Sequence, residues 1–167
     1  MATIYGAQPY NFQNNAQNMM ADALGANSVA FTQYDPVTYA SGVLATAGTT
    51  NSVLGVTMKT QTMTSTNAQR NNAGVQVEYV PVDETTQFLM GSNGDHNTIA
   101  DVGTYWKLTA STTGSIQVDQ ANGVQTTTNR VVLIKQVDPF NEGTTGSGSG
   151  ARKVVVVFVR RPTWIDQ

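Results

Sequence analysis

One stretch decides the fold class of this chain: residues 152–161, which read Arg152-Lys153-Val154-Val155-Val156-Val157-Phe158-Val159-Arg160-Arg161. Its apolar part consists of β-branched and aromatic residues, which favour a strand, and it is too short to span a bilayer as a helix. Successive side chains of a strand point to opposite faces, so both faces of this strand are apolar. Both must therefore be covered, inside a barrel or sandwich or by another subunit.

The segments upstream of this strand also alternate with period two between turn residues. Residues 104–109 and 116–118 flank a Thr-Thr-Gly turn, which predicts a hairpin. Residues 75–79 end at Pro81, and residues 87–90 are expected to be their hairpin partner or neighbour. The remaining predicted strands are residues 27–33, 39–46 around Gly42, 54–64 and 130–137. With no amphipathic helix in residues 27–167, the pattern predicts an all-β domain, a barrel or a sandwich.

The first 26 residues differ from this domain in composition. They are polar and rich in Asn and Gln, with apolar side chains scattered among small residues. A short helix over residues 16–24 is expected, with Asn15 as its N-cap and Gly25 at its end. We expect residues 1–26 to form an arm that folds back on the 27–167 domain or lies across a neighbour.

The composition favours contact with protein. Charged residues make up 12% of the 167 residues, about half the usual share of roughly 25%. The surface is therefore built from Thr, Ser, Asn and Gln, which a partner can cover at a lower desolvation cost than Lys and Glu. A net charge of -2 without charge runs makes nucleic acid a poor partner. The start of the sequence lacks the pattern of a signal peptide, so synthesis in the cytoplasm without membrane insertion is expected.

Residues suited to chemistry are few. The chain has no Cys and a single histidine, His96, in a Gly/Asn/Asp loop typical of a solvated turn. Four nearby oxygen-bearing side chains lack the spacing of a known calcium loop; they are Asn93, Asp95, Asn97 and Asp101. The acid pair Asp83-Glu84 resembles a solvated turn, and the glycines of 143–150 precede a strand rather than a phosphate-binding helix. We therefore expect no catalytic residue, metal, cofactor or small-molecule substrate.

Aromatic side chains are the best candidates for contact with a partner. Trp106 beside Tyr105, and Trp164 near the end, could stack on sugars in a carbohydrate- or receptor-binding module, or serve as core or interface anchors. The arm adds apolar anchors of its own. The expected partner-binding residues are Tyr5, Tyr10, Phe12, Met19, Met20, Trp106 and Trp164.

The order of several short segments resembles a known family. They are Asp35-Pro36-Val37-Thr38, Gly42-Val43, Val53-Leu54-Gly55-Val56-Thr57, Gly74-Val75-Gln76-Val77, Asp101-Val102-Gly103 and the late Val-rich strand. This order is similar to that of the head decoration, or cement, proteins of tailed bacteriophages.

The resemblance implies a small β-barrel or β-tulip with an extended N-terminal arm and no catalytic residues. It implies a homotrimer on the outer surface of an expanded capsid, made in the host cytoplasm, that clamps neighbouring major capsid proteins. Two alternatives stay open: the carbohydrate- or receptor-binding module, and another phage structural part such as a tail or connector domain.

Overall fold

A computed structural model describes residues 6–11, 21–26, 28–40, 42–49, 52–63, 76–83, 85–93, 99–110, 116–126, 129–137 and 152–159. The fold is all-β, as predicted: the described residues form fourteen strands and one short 3-10 helix, Ile99–Asp101. The strands are β1 (Ala7–Asn11), β2 (Ala21–Leu24), β3 (Ala30–Phe31), β4 (Pro36–Ala40), β5 (Val43–Thr46), β6 (Gly55–Thr57), β7 (Gln61–Thr62), β8 (Gln76–Pro81), β9 (Gln87–Ser92), β10 (Tyr105–Trp106), β11 (Leu108–Ala110), β12 (Ile116–Val118), β13 (Val132–Val137) and β14 (Arg152–Phe158). Within the described ranges, no helix is long and apolar enough to cross a membrane.

The Val-rich strand β14 lies at the centre of the larger sheet, between β13 and β9. Its residues from Lys153 to Phe158 are all buried. Val154, Val156 and Phe158 point into the main core, whereas Val155 packs against Leu89 in a separate cluster on the other face. The prediction of a strand covered on both faces is confirmed.

The larger sheet is a nearly closed barrel. Its strand order is β10-β13-β14-β9-β12-β11, with β1 added beside β9. The two end strands, β10 and β11, are separated along the chain only by Lys107. One continuous stretch, residues 105–110, therefore pairs with β13 at its start and with β12 at its end.

The second sheet curls in the same way. Its order is β2-β8-β6-β4-β5, and Gly25, next to the end of β2, forms a parallel bridge to Leu44 of β5. A Cβ on Gly25 would lie 2.7–2.9 Å from side-chain atoms of Met63, Phe31 and Val77. Glycine is needed at position 25 because a hydrophobic cluster fills the interior of the second sheet. The cluster consists of Phe31, Val37, Leu44, Met63, Val77 and Tyr79, to which the β3–β7 ribbon contributes.

The two sheets share one hydrophobic core. Val56 and Val80 of the second sheet pack in the same cluster as Phe88, Trp106 and Phe158 of the larger one. This main cluster therefore joins the two sheets, beside the separate cluster inside the second sheet.

The described parts of the N-terminal segment, residues 6–11 and 21–26, contribute to these sheets. β1 pairs with β9 and buries Ala7 in the shared core, and β2 pairs with β8. The helix expected over residues 16–24 is wrong for residues 21–24, because backbone pairing with β8 outweighs local helix propensity. The division of the chain at residue 26 stays a prediction.

Four strand expectations need correction. Residues 39–46 form a hairpin of β4 and β5, and Gly42 adopts φ +81° in the turn. Residues 54–64 contain two short strands in different sheets, and the described part of the expected strand 27–33, residues 28–33, is a strand only at 30–31. The partner expected for β9 was β8, but β9 lies in the larger sheet. The predicted antiparallel pairing within residues 104–118 is confirmed between β11 and β12, and the Thr-Thr-Gly turn lies outside the described residues.

Candidate interaction surface

Trp106 does not lie on the surface. It is 2% exposed and belongs to the shared core, and its Nε1 donates to Thr104 Oγ1 at 2.7 Å. A buried indole is stable when its N–H has such a partner. In this fold Trp106 is available neither as a partner-binding residue nor as a sugar platform, which removes the main support for the carbohydrate-binding alternative.

Of the other expected partner-binding residues, Tyr10 is described. It lies on β1 and is 39% exposed. Tyr5, Phe12, Met19, Met20 and Trp164 lie outside the described residues. The structure therefore does not bring this set together.

A different group of side chains is exposed around β10. Ile99 is 82% exposed, Val124 46% and Val102 37%. Tyr105 on β10 is half-buried. The guanidinium of Arg130 lies over its ring, 4.6 Å from the ring centroid. We call these five residues, Ile99, Val102, Tyr105, Val124 and Arg130, the β10 surface.

Backbone contacts hold the β10 surface in place. Gly103 N donates to Ile134 O at 2.9 Å, which anchors the 3-10 helix against β13, and Thr104 Oγ1 donates to Asp101 O at 2.5 Å. On the other edge of β10, Gln125 N donates to Tyr105 O at 2.8 Å. The exposed side chains are therefore carried by backbone that is tied to the barrel.

The sequence offered one signal for this surface. Ile99 is the one large aliphatic residue in the stretch Asn97-Thr98-Ile99-Ala100-Asp101. Nothing in the sequence indicates that Val124 lies near Tyr105, because the hydrogen bond from Gln125 N to Tyr105 O joins a loop to a strand that is distant in the sequence.

A polar cluster around Asp119 lies at the end of the barrel where β9 and β12 stop. Asp119 is buried and forms an ion pair with Lys107, Nζ to Oδ2 at 3.4 Å. Asn93 donates from Nδ2 to Asp119 Oδ1 at 3.1 Å, and Asn122 donates from Nδ2 to both carboxylate oxygens. Nearby, Ser92 Oγ donates to Gln120 Oε1 inside the protein. The contacts of this cluster close a turn onto the barrel.

The candidate chemical groups serve structural roles where they are described. Asp83 Oδ1 accepts hydrogen bonds from the backbone and hydroxyl of Thr85 and from Thr86 N. Partial burial acts to raise the pKa of Asp83, but the hydrogen bonds from Thr86 and Thr85 together lower it below the usual value. Asp83 is thus a turn cap that stays ionised.

Of the other residues considered for metal binding or catalysis, the structure describes Asp101 and Asn93. Asp101 is buried within the 3-10 helix, and Asn93 belongs to the polar cluster. Glu84, Asp95, His96, Asn97 and the glycines of 143–150 lie outside the described residues. Among the residues that are described, no three His, Asp or Glu side chains lie close enough to hold a metal ion.

Asp35 is half-buried and is the one acid in the described ranges with a buried, unsatisfied side-chain oxygen. Its Oδ1 is buried and has no hydrogen-bond partner. Desolvation raises the pKa of Asp35 above its usual value, although hydrogen bonds from Thr32 act in the opposite direction. Asp35 lies in the turn before β4, where its backbone bonds Thr57 of β6. Tyr34 in the same turn accepts a hydrogen bond from Ala7 N of β1.

Comparison with protein-family models, with curated proteins and with solved structures found no match.

Proposed function

We propose that this protein is a structural component of a bacteriophage virion that binds the outside of the capsid and stabilises it by clamping neighbouring major capsid proteins. The resemblance in the sequence motivates the proposal. The segments that carry much of it become neighbouring strands: residues 36–38, 43, 55–57 and 76–77 lie in β4, β5, β6 and β8 of one sheet. The resemblance thus coincides with one structural unit.

The observation that carries the proposal is the β10 surface. Isolated exposed aliphatic residues are normal on proteins, but Ile99, Val102 and Val124 are three of the four large apolar side chains found exposed in the described residues. Ile99 and Val102 precede β10 in the chain, and Val124 precedes Gln125, whose N–H donates to Tyr105 O of β10. Tyr105 of this strand also contacts Arg130, and Tyr and Arg are enriched at the centres of interfaces. We assign the contact with the major capsid protein to this surface.

The mechanism would be additive burial. A contact of about 800 Å² per partner is enough for a specific interface, and repetition over a shell resists internal pressure without any single contact being very tight. The low charge of the chain suits this role because few ionised groups must be desolvated when a neighbour covers the surface.

The test is co-sedimentation of the purified protein with expanded empty capsids of tailed phages. The substitution Ile99→Glu places a charge at the most exposed aliphatic position of the β10 surface, and we expect it to weaken capsid binding at least about tenfold. Ala40→Glu introduces the same charge at an exposed position of β4 and should bind like the wild type.

Two results would count against the proposal. If the wild type does not sediment with capsids, the function is wrong. If Ile99→Glu binds normally but changes the oligomeric state, the β10 surface is a contact between copies of this chain, and the capsid contact lies elsewhere.

A further inference from the structure

Both Asn-Gly dipeptides of the sequence, Asn93-Gly94 and Asn122-Gly123, have their asparagine in the polar cluster. Asn93 Nδ2 donates to Asp119 Oδ1 at 3.1 Å. Asn122 Nδ2 donates to Asp119 Oδ1 at 2.9 Å and to Oδ2 at 2.7 Å. One buried carboxylate therefore holds the side-chain amides of both dipeptides.

Asn-Gly is the dipeptide most prone to spontaneous deamidation, because glycine has no Cβ to crowd the attacking backbone nitrogen. The nitrogen of the glycine attacks Cγ of the asparagine and forms a new C–N bond. The N–H proton passes to Nδ2, the Cγ–Nδ2 bond breaks, and ammonia leaves a cyclic succinimide. Water then opens the ring at either carbonyl, which restores the glycine N–H and leaves an aspartate or an isoaspartate.

The two asparagines are held differently. Asn93 is half-buried, and its Oδ1 also accepts hydrogen bonds from Gln120 N at 2.8 Å and Ala121 N at 3.2 Å. Asn122 is exposed in the turn, and Gly123 after it is exposed with φ +77°. The side-chain contacts of Asn122 within the described residues are its two bonds to Asp119. Both Nδ2 and Oδ1 of Asn93 are therefore hydrogen-bonded, whereas Asn122 is held through Nδ2 alone.

We propose that Asn122 is a site of spontaneous deamidation in the folded protein, and that Asp119 is the positioning residue that slows it. Cγ of Asn122 must rotate towards Gly123 N before it can react, so the amide has to leave the carboxylate first. Two hydrogen bonds to an ionised acceptor oppose that rotation.

Deamidation would also change the structure around it. A new carboxylate would stand where the amide now contacts both oxygens of Asp119, and two like charges at that distance repel. The turn at residues 121–125 would open, and Gln125, which bonds Tyr105 O at the edge of β10, is part of that turn. This modification site therefore lies beside the β10 surface, although its chemistry does not depend on what binds there.

The experiment is to incubate the full chain at mildly alkaline pH and physiological temperature, and to follow the amide-to-acid mass gain by peptide mapping. Trypsin separates the two sites because Lys107 lies between them in the sequence. We expect Asn122 to deamidate faster than Asn93 in the wild type. We expect Asp119→Asn to accelerate Asn122 about tenfold, since neutral hydrogen bonds replace charge-assisted ones. Asp83→Asn, the same change outside the cluster, should leave both rates unaltered.

A second measurement covers the case in which Asp119→Asn does not fold. In concentrated urea the wild-type rates at Asn93 and Asn122 should converge and exceed both native rates, because the fold no longer holds either amide. A native rate at Asn93 equal to or above that at Asn122 would overturn the proposal. So would an unchanged rate at Asn122 in a folded Asp119→Asn protein.

Discussion

Asp35 bears an electrostatic penalty that can be measured. Its Oδ1 is buried without a partner, and desolvation raises its pKa above the usual value of 3.8. A group with a raised pKa binds its proton more tightly in the folded than in the unfolded state. The folded state therefore loses stability as pH rises from the usual aspartate pKa through the raised one, and the full penalty is present at neutral pH.

We predict that Asp35→Asn raises the thermal midpoint at neutral pH, and that the gain shrinks as the pH falls through the raised pKa of Asp35 and is absent below the ordinary value of 3.8. Asp83→Asn should have the opposite sign, because hydrogen bonds lower the pKa of Asp83 and its ionised form stabilises the fold above that pKa. Thermal unfolding of both variants across this pH range is the measurement. Equal shifts of the same sign would contradict the account.

Gly55 is required by packing rather than by its backbone conformation. A Cβ at this position would lie 2.2 Å from Tyr79 Cδ2 and 2.6 Å from Val80 O, a backbone atom that cannot move freely. We predict that Gly55→Ala lowers the free energy of unfolding by about 1–3 kcal/mol, the usual range for overpacking. Thr46→Ala, at an exposed position of β5, should change it by less than about 0.5 kcal/mol in the same urea titration. Equal effects of the two substitutions would show that this glycine is not packed as described.

Tyr105 and Trp106 show how far single residues could be predicted. The period of two places adjacent side chains on opposite faces, but it does not say which face is inside. Here Trp106 points into the core and Tyr105 outward to Arg130. The choice is set by the pairing of β10 with β13, a contact that local sequence does not encode.

At the scale of elements, long and strongly patterned segments were predictable. The strands at residues 130–137 and 153–159 and the hairpin ending at Val118 are confirmed. The failures occurred where the pairing partner decides the structure. Residues 21–24 could form a helix in isolation but pair with β8, and β9 follows β8 in sequence yet lies in the other sheet. Gly42 occupies a hairpin turn that divides one expected strand into two.

β1 is the element that tests whether the N-terminal segment belongs to the fold. Four residues of β1 pair with β9, Ala7 is fully buried, and Ala7 N bonds Tyr34 O at 2.7 Å. We predict that deleting residues 1–11 lowers the thermal midpoint by at least about 5 °C, since about 1 kcal/mol corresponds to some 2–4 °C in a chain of this size. Tyr10→Ser, on the same strand but exposed, should have little effect. A deletion with an unaltered midpoint would show that β1 is a dispensable arm.

At the scale of the whole molecule, two curled sheets share one core, and the N-terminal strand joins the C-terminal half. The sequence predicted the all-β class because its longest apolar run has two apolar faces. It did not predict that the larger sheet closes through residues 105–110. That closure requires the start of this stretch to pair with β13 and its end to pair with β12.

The candidate interaction surface was less predictable than the fold. The sequence directed attention to aromatic residues, whereas the exposed apolar side chains around β10 are mostly aliphatic. Exposure depends on which loops cover the barrel edges, and these loops are brought together only by the tertiary structure. The proposed function therefore rests on the resemblance and on the β10 surface together.

The central claim is that this protein is covered by neighbours on the outside of a phage capsid. Electron microscopy of expanded empty capsids, with and without added wild-type protein, tests it most directly. We expect extra density on the outer surface at threefold or local threefold positions, with the β10 surface facing the shell, and loss of that density with Ile99→Glu. Capsids that gain no outer density at saturating protein, or that gain it only at the tail or portal vertex, would contradict it.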